Sequence, residues 1–218
     1  MRNVKCLQVS LVVVFVSLLS ACGGGGGGGN TSAGAPAPQA VSTALLGPTP
    51  YTSIADSPFN GLVFSYFHLE DSEDHLFNSP GVTTSAGQVT STIFPGHIDS
   101  VDADDGVIDG SGSSGDSYFS SPGSAGIGFT FDAATLGALP THVGIVWTDG
   151  DGTTSFEAFD AANISLGVVG PVAIADGSNF GTTAEDRFFG VTHAGGISRI
   201  VISNSVGGIE VDHLQYGR

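Results

Sequence analysis

An all-β fold is predicted for this chain: an antiparallel β-sandwich of jelly-roll type, standing behind an N-terminal signal peptide and a flexible linker. Three observations predict it. From Tyr51 onward the sequence consists of short apolar runs rich in Val, Ile, Phe and Thr, which suit a half-buried pleated surface. Those runs are broken by Gly, Pro, Asn and Asp, and the 34 glycines supply turn chemistry throughout. No segment carries an apolar stripe at helical spacing over a useful length; Ala133–Leu139 is long enough for one turn. Many short strands at this spacing imply a sandwich or jelly roll.

The domain plan follows from composition. Residues 1–21 are laid out as an export signal. Arg2 and Lys5 make a basic start, Leu7 to Leu19 is almost wholly apolar, and the small residues Ser20 and Ala21 precede Cys22. The apolar run is shorter than the ~20 residues a spanning helix needs. Residues 22–50 hold the seven-glycine run Gly23–Gly29 and then a stretch rich in Ser, Thr, Ala and Pro. This reads as a tether with an r.m.s. reach of ~30 Å, enough to lift the domain clear of lipid headgroups. Residues 51–218 are the β-sandwich domain.

Leu19-Ser20-Ala21-Cys22 resembles the lipobox of bacterial lipoproteins. The resemblance implies acylation of the Cys22 thiol, cleavage just before it, and a membrane partner reached through lipid. Gly23 stands where an Asp would favour inner-membrane retention in the Gram-negative sorting pattern, so an exported, lipid-anchored protein of the outer membrane is implied. Several acyl chains together hold firmly where one holds weakly. Cys6 lies in the signal and Cys22 is the lipid site, so a mature domain without disulfide or catalytic thiol is expected.

The formal net charge is -16, and two of the five basic residues sit in the signal. Nucleic acid is excluded as a partner, because phosphate binding needs clustered Lys and Arg. An anionic membrane surface would also repel the chain. Calcium, neutral sugars and basic partners stay open.

Strands are predicted at Leu62–Leu69, Val82–Val89, Ile127–Phe131, His142–Trp147, Thr153–Phe159, Ile164–Val169, Arg187–Val191, Ile197–Ser203 and Ile209–Tyr216. Asp149-Gly150-Asp151-Gly152 has the chemistry of a tight hairpin turn. Asp160-Ala161-Ala162-Asn163 is read as the next reversal.

The stretches GIGFTFDAATLGALPTHVGIVWTDG, TSFEAFDAANISLG, AEDRFFGVTHAGGISRIVIS and GGIEVDHLQYG, with SVDADDGVIDGSG more loosely upstream, resemble a domain recurring in exported proteins of environmental bacteria. Those proteins often carry PEP-CTERM sorting signals. The resemblance implies a jelly-roll sandwich akin in outline to carbohydrate-binding modules, and it brings no established activity. Up to Arg218 no sorting tail is expected, and the lipobox is expected to do the anchoring.

The densest acidic feature is Asp99, Asp102, Asp104, Asp105, Asp109 and Asp116, set among Gly and Ser. Calcium takes several hard oxygen ligands on a flexible loop, and closely packed carboxylates repel unless a cation neutralises them. Asp102, Asp104, Asp105 and Asp109 are the candidate calcium ligands; the alternative is a solvated loop. The spacing is not that of an EF-hand. A second acidic stretch, His68, Glu70, Asp71, Glu73, Asp74 and His75, mixes imidazole and carboxylate without metal-ligand spacing.

Three motifs are decoys. Gly110 to Gly115 fits a dinucleotide glycine pattern but follows aspartates and leads into no helix. Gly115-Asp116-Ser117 resembles the nucleophile block of GDSL hydrolases, whose fold is wrong for this chain. Glu210 and Asp212 alternate on a strand like the acids of jelly-roll glucanases, yet the second glutamate would fall on Leu214 or Gln215. These two acids are expected to pair with Arg199 or Arg187. No complete catalytic set can be assembled, so a non-enzymatic role is expected.

Sugar-binding modules stack rings on exposed aromatic faces. Trp147, the single tryptophan, and Tyr118 are the candidate ligand-binding residues, with core packing as the alternative. Two functions therefore compete: a binding module for glycan or another extracellular polymer, with structural calcium, and a structural or adhesive envelope domain without a small-molecule site.

Overall fold

The computed structural model describes residues 41–90, 98–101, 115–178 and 185–218. These residues belong to one unit, Gln39–Arg218. They form one large antiparallel sheet of ten strands with few helical turns.

Two strands dominate: β7, His142–Asp160, and β10, Ile197–Gly217. They run antiparallel from Ile197↔Asp160 at one end to Gly217↔His142 at the other. The first half of β7 also pairs with β9 (Arg187–His193), and β9 pairs with β1 (Thr43–Pro50). The second half of β7 pairs with β8 (Ser165–Val172). β10 divides its other edge likewise. Its first half meets β6 (Ile127–Phe131), which pairs with β3 (Val82–Thr84). Its second half meets β5 (Tyr118–Ser120) and β2 (Phe67–Glu70), and β5 pairs with β4 (Gln88–Val89).

The expected hairpin at Asp149–Gly152 is not formed: β7 passes straight through it. Asp149 pairs with Glu210 and Gly150 with Ile209, and the register slips between Asn204 and Ile209 on β10. Both strands therefore bulge at the same level. Gly152 and Gly207 hold φ of 79° and 71°, and a Cβ on either would collide with the opposing strand. Glycine chemistry that suits a two-residue turn suits a paired bulge equally well. The reversal at Asp160–Asn163 does form, with the Asp160 carboxylate accepting from the amides of Ala162 and Ile164, 2.8 Å each. The single turn α1, Ala133–Leu136, is capped by Asp132 and ends at Gly137 in the left-handed region.

β1 lies inside the stretch expected to be tether. Its apolar centre, Leu45-Leu46, is short and followed by Pro48 and Pro50, so it shows no strand pattern. Proline is tolerated because β1 pairs on one side, with β9. The ordered fold thus begins before Tyr51.

Alternation builds two hydrophobic clusters. Ile145 and Trp147 on β7, Phe189 and Val191 on β9, and Val211 and Tyr216 on β10 join the larger one, together with Phe156, Ile200, Ile202 and Phe129 from the other strand halves. The opposite alternation sends Val146 and Phe188 into a smaller cluster with Tyr51, Phe59 and Val101. Beside it, Ser57 donates to Gln215, which donates to Tyr51, whose hydroxyl lies 3.0 Å from His213 Nδ1.

Asn204 sits at the bulge with 2% exposure. Its side-chain oxygen accepts from the Trp147 indole N–H at 2.9 Å and from the Thr154 hydroxyl at 3.0 Å, and its amide donates to the Gly208 carbonyl at 2.9 Å. One side chain thereby joins β7 on both sides of the bulge to β10. Replacing Asn204 by Ala strands the indole N–H in the core. Asn204→Ala should lower the unfolding free energy by about 3 kcal/mol in urea titrations, with an unchanged denaturant slope.

Candidate functional site

The alternation that buries Ile209 and Val211 in the core turns Glu210 and Asp212 to the other side of β10, where they meet the stems of the central acidic segment. The Glu210 carboxylate accepts from the Asp99 amide at 2.8 Å and from the Ser117 hydroxyl. Asp212 accepts from the Val101 amide at 3.0 Å and the Ser100 hydroxyl at 3.3 Å. Glu73 reaches in from the second acidic stretch to accept from the Asp116 amide at 2.6 Å and from Ser100. Asp99, Ser100, Asp116 and Ser117 are all buried. Both ends of the segment that carries Asp102, Asp104, Asp105 and Asp109 are therefore pinned to carboxylates of the sheet. Those four aspartates, like Cys22, lie outside the described residues.

The Glu210 carboxylate, expected to pair with Arg199 or Arg187, makes these loop contacts instead. Arg199 lies over the Phe159 ring at 4.0 Å, and Arg187 donates to the Asp186 carbonyl at 2.8 Å. Among the described residues the ion pairs are His68–Glu70 and His75–Asp116.

The second acidic stretch closes its own loop. Glu70 accepts from the Ser72 and Asn78 amides at 3.2 and 3.1 Å and from the Ser79 hydroxyl at 2.9 Å. Burial pushes its carboxyl up, but the His68 ring 3.9 Å away and the hydrogen bonds from Ser79, Ser72 and Asn78 outweigh this and hold it below the usual range. Among the described residues, no three His, Cys, Asp or Glu side chains converge as a metal cage would.

Trp147 and Tyr118, the candidate stacking residues, are both buried. Trp147 is fully buried, because β7 alternation turns it inward with Ile145, and Asn204 satisfies its indole N–H. Tyr118 is 6% exposed, packs on Phe77 and Phe129, and shares a 2.8 Å hydrogen bond with Thr84.

The neighbour of Tyr118 offers something else. Half-buried Phe119, on the opposite pleat, lines a cleft of about 140 Å³ with Asp149, Asp151 and Glu210, floored by Gly150 and Gly208. Asp149 and Glu210 are register partners on β7 and β10. Burial pushes Glu210 up to about 8, against the hydrogen bonds from Ser117 and Asp99, and the charges of Asp149 and Asp212 push the same way. Glu185, also buried, is raised to about 9 by burial, by a hydrogen bond shared with Asp176 and by the charge of Asp149. The shared bond holds Asp176 below its usual range. Sequence reasoning missed this cleft because Asp149 and Asp151 were assigned to a turn and their partner strand lies far along the chain.

No family model, curated protein or solved structure matches the chain. Its function rests on the geometry above.

The two raised carboxyls set a pH dependence. Each is protonated in the folded state and ionises near the usual 4.5 once unfolded. Between about pH 4.5 and pH 8–9 the folded chain binds more protons, so stability falls as pH rises. Thermal melts should show a lower Tm at pH 9 than at pH 6. Glu210→Gln, which keeps the acceptor oxygen and removes the titration, should flatten that slope and raise Tm at pH 9.

Proposed function

We propose that this chain is a lipid-anchored protein of the bacterial envelope whose β-sandwich domain binds a glycan or similar extracellular polymer, with calcium held by the central acidic segment. The export signal and lipobox support acylation at Cys22, and Gly23 supports the outer membrane. A two-layer, jelly-roll-like arrangement is supported by the way β7 and β10 each pair with different neighbours along their two halves while side chains from both halves join one core.

The observation that carries the binding reading is the cleft at Phe119. An aromatic side chain beside Asp149, Asp151 and Glu210 pairs an apolar surface with carboxylate acceptors, which is what the C–H face and hydroxyls of a sugar ring need. Calcium is supported by what flanks Asp102, Asp104, Asp105 and Asp109. Both stems bond to one carboxylate, Glu210, and a divalent cation relieves the repulsion among acids gathered there. The second reading, a structural or adhesive envelope domain with no small-molecule site, is favoured by the burial of Trp147 and Tyr118.

The test is a pair of measurements on the purified chain. At calcium a hundredfold above its dissociation constant a native-only site adds ~2.7 kcal/mol, so Tm should rise in calcium over chelator and the rise should vanish in Asp104→Ala and Asp109→Ala. Retention on immobilised neutral polysaccharides should fall at least tenfold in Phe119→Ala with the fold intact. Identical melts and no retention on any polysaccharide would leave the structural envelope domain.

A further inference from the structure

The two ends of the sheet differ in charge. Of 21 acidic residues, all but Asp56 lie at Glu70 or beyond, and no Lys, Arg, Asp or Glu other than Asp56 occurs from Cys6 to Phe67. That uncharged stretch contains the region beyond β1 where apolar side chains stand open to solvent. Val63 is fully exposed, Leu62 is 49% exposed, and Ile54 and Phe67 are 39% exposed each. Ile54, Leu62 and Phe67 rim a cleft of about 280 Å³. Beneath them is a firm aromatic base: Phe64 stacks on Phe67 at 5.2 Å, and Phe59 and Phe64 both set their edges against His142.

The register places this patch relative to the point where the chain enters the sheet. Ala44 on β1 pairs with Thr192, Thr192 with His142, His142 with Gly217, and Gly217 with Phe67. This single row across five strands spans ~19 Å at the usual strand spacing. The start of β1 and the apolar patch thus share one end of the sheet. The Asp149–Glu210 pair stands seven residues further along β7, ~23 Å away at the usual rise. Near the patch the Arg218 guanidinium lies 5.4 Å from the Tyr66 ring and donates to the Leu136 and Ala138 carbonyls, so it is held against the protein. Asp56 and Asp132, the acids of the nearby turns, accept hydrogen bonds from Thr52 and from the first turn of α1.

We infer that this end, with Leu62 and Val63 at its tip, docks on the neutral phospholipid surface that holds the Cys22 lipid. The inference rests on the lipoprotein reading. Twenty residues separate Cys22 from Thr43, and a Gly-rich coil of that length has an r.m.s. span of ~25 Å, short enough to keep the patch within reach of the headgroups. Lipid anchor and apolar loop are then the two signals that stable attachment requires. The acid-rich cleft and the stems of the central acidic segment face away from the bilayer, towards soluble ligands.

The experiment compares the full-length chain, processed by a Gram-negative host and reconstituted into phosphatidylethanolamine–phosphatidylcholine vesicles, with Cys22→Ser in solution beside the same vesicles. Amide hydrogen exchange is read for residues 60–67 and, at the acidic end, for 205–208. Docking predicts at least fivefold slower exchange at 60–67 in the anchored chain, unchanged exchange at 205–208, and loss of that slowing in Leu62→Asp/Val63→Asp. Equal rates at 60–67 with lipid present on Cys22 would overturn docking alone. Slowing that grows with protein concentration in Cys22→Ser would assign the patch to a second copy and overturn it too. Mass spectrometry showing no fatty acid on Cys22 would overturn the anchor and the docking together.

Discussion

The structure depends on the pairing of β7 with β10. Every other strand except β1, β3 and β4 bonds directly to one of these two, and those three attach one step further out. Side chains from both halves of these strands join one core, and the register shifts where Asp149–Gly152 faces Ser205–Gly208. A break in the ladder leaves backbone and side-chain polar groups to be satisfied locally. Asn204 does this, taking the Trp147 N–H, the Thr154 hydroxyl and the Gly208 carbonyl at once. A small amide, two glycines with positive φ and a buried indole together let one sheet continue through a fold that would otherwise separate into hairpins.

The same strand that carries the core carries the polar chemistry on its reverse side. Glu210, Asp212 and Gln215 are buried, and each is committed to a segment crossing that face: Asp99 and Ser117, Ser100 and Val101, and Ser57 with Tyr51. Carboxylates are strong acceptors for backbone amides, so they hold irregular chain where no strand can. The cost is electrostatic. With few cations in the chain, burial first and neighbouring acids second push Glu210 and Glu185 up to about 8 and about 9. The result is a buried acidic face on β10 that bonds to both stems of the aspartate-rich segment.

Much of the sheet was legible in sequence, for a local reason. Ile127–Phe131 is found as predicted, because apolar residues alternate cleanly there, and Arg187–His193 nearly so, because Phe188, Phe189, Val191 and Thr192 favour a strand. The alternation rule puts Glu210, Asp212 and Leu214 on one face; Glu210 and Asp212 share it, but Leu214 joins the core because the register shifts between Asp212 and Gln215. What could not be read depends on partners distant in the chain. The run Asp149–Gly152 has one composition whether it turns or bulges, and only β10 lying alongside decides. Tyr118–Ser120 is too short to show alternation and exists because β10 and β4 hold it. Trp147 sits beside a predicted turn that is absent, so its expected rim becomes mid-strand and its ring belongs to the core.

The claim that β7 and β10 form one continuous unit through their shared bulge is tested most directly by native-state amide exchange along β10 at increasing denaturant. Ile200–Asn204 and Val211–Tyr216 should exchange with the same opening free energy, equal to that of global unfolding, because neither half can separate while Asn204 ties them across the bulge. Two distinct opening free energies, one for each side of Ser205–Gly208, would show that the bulge is a seam between independent sheets and would contradict this account.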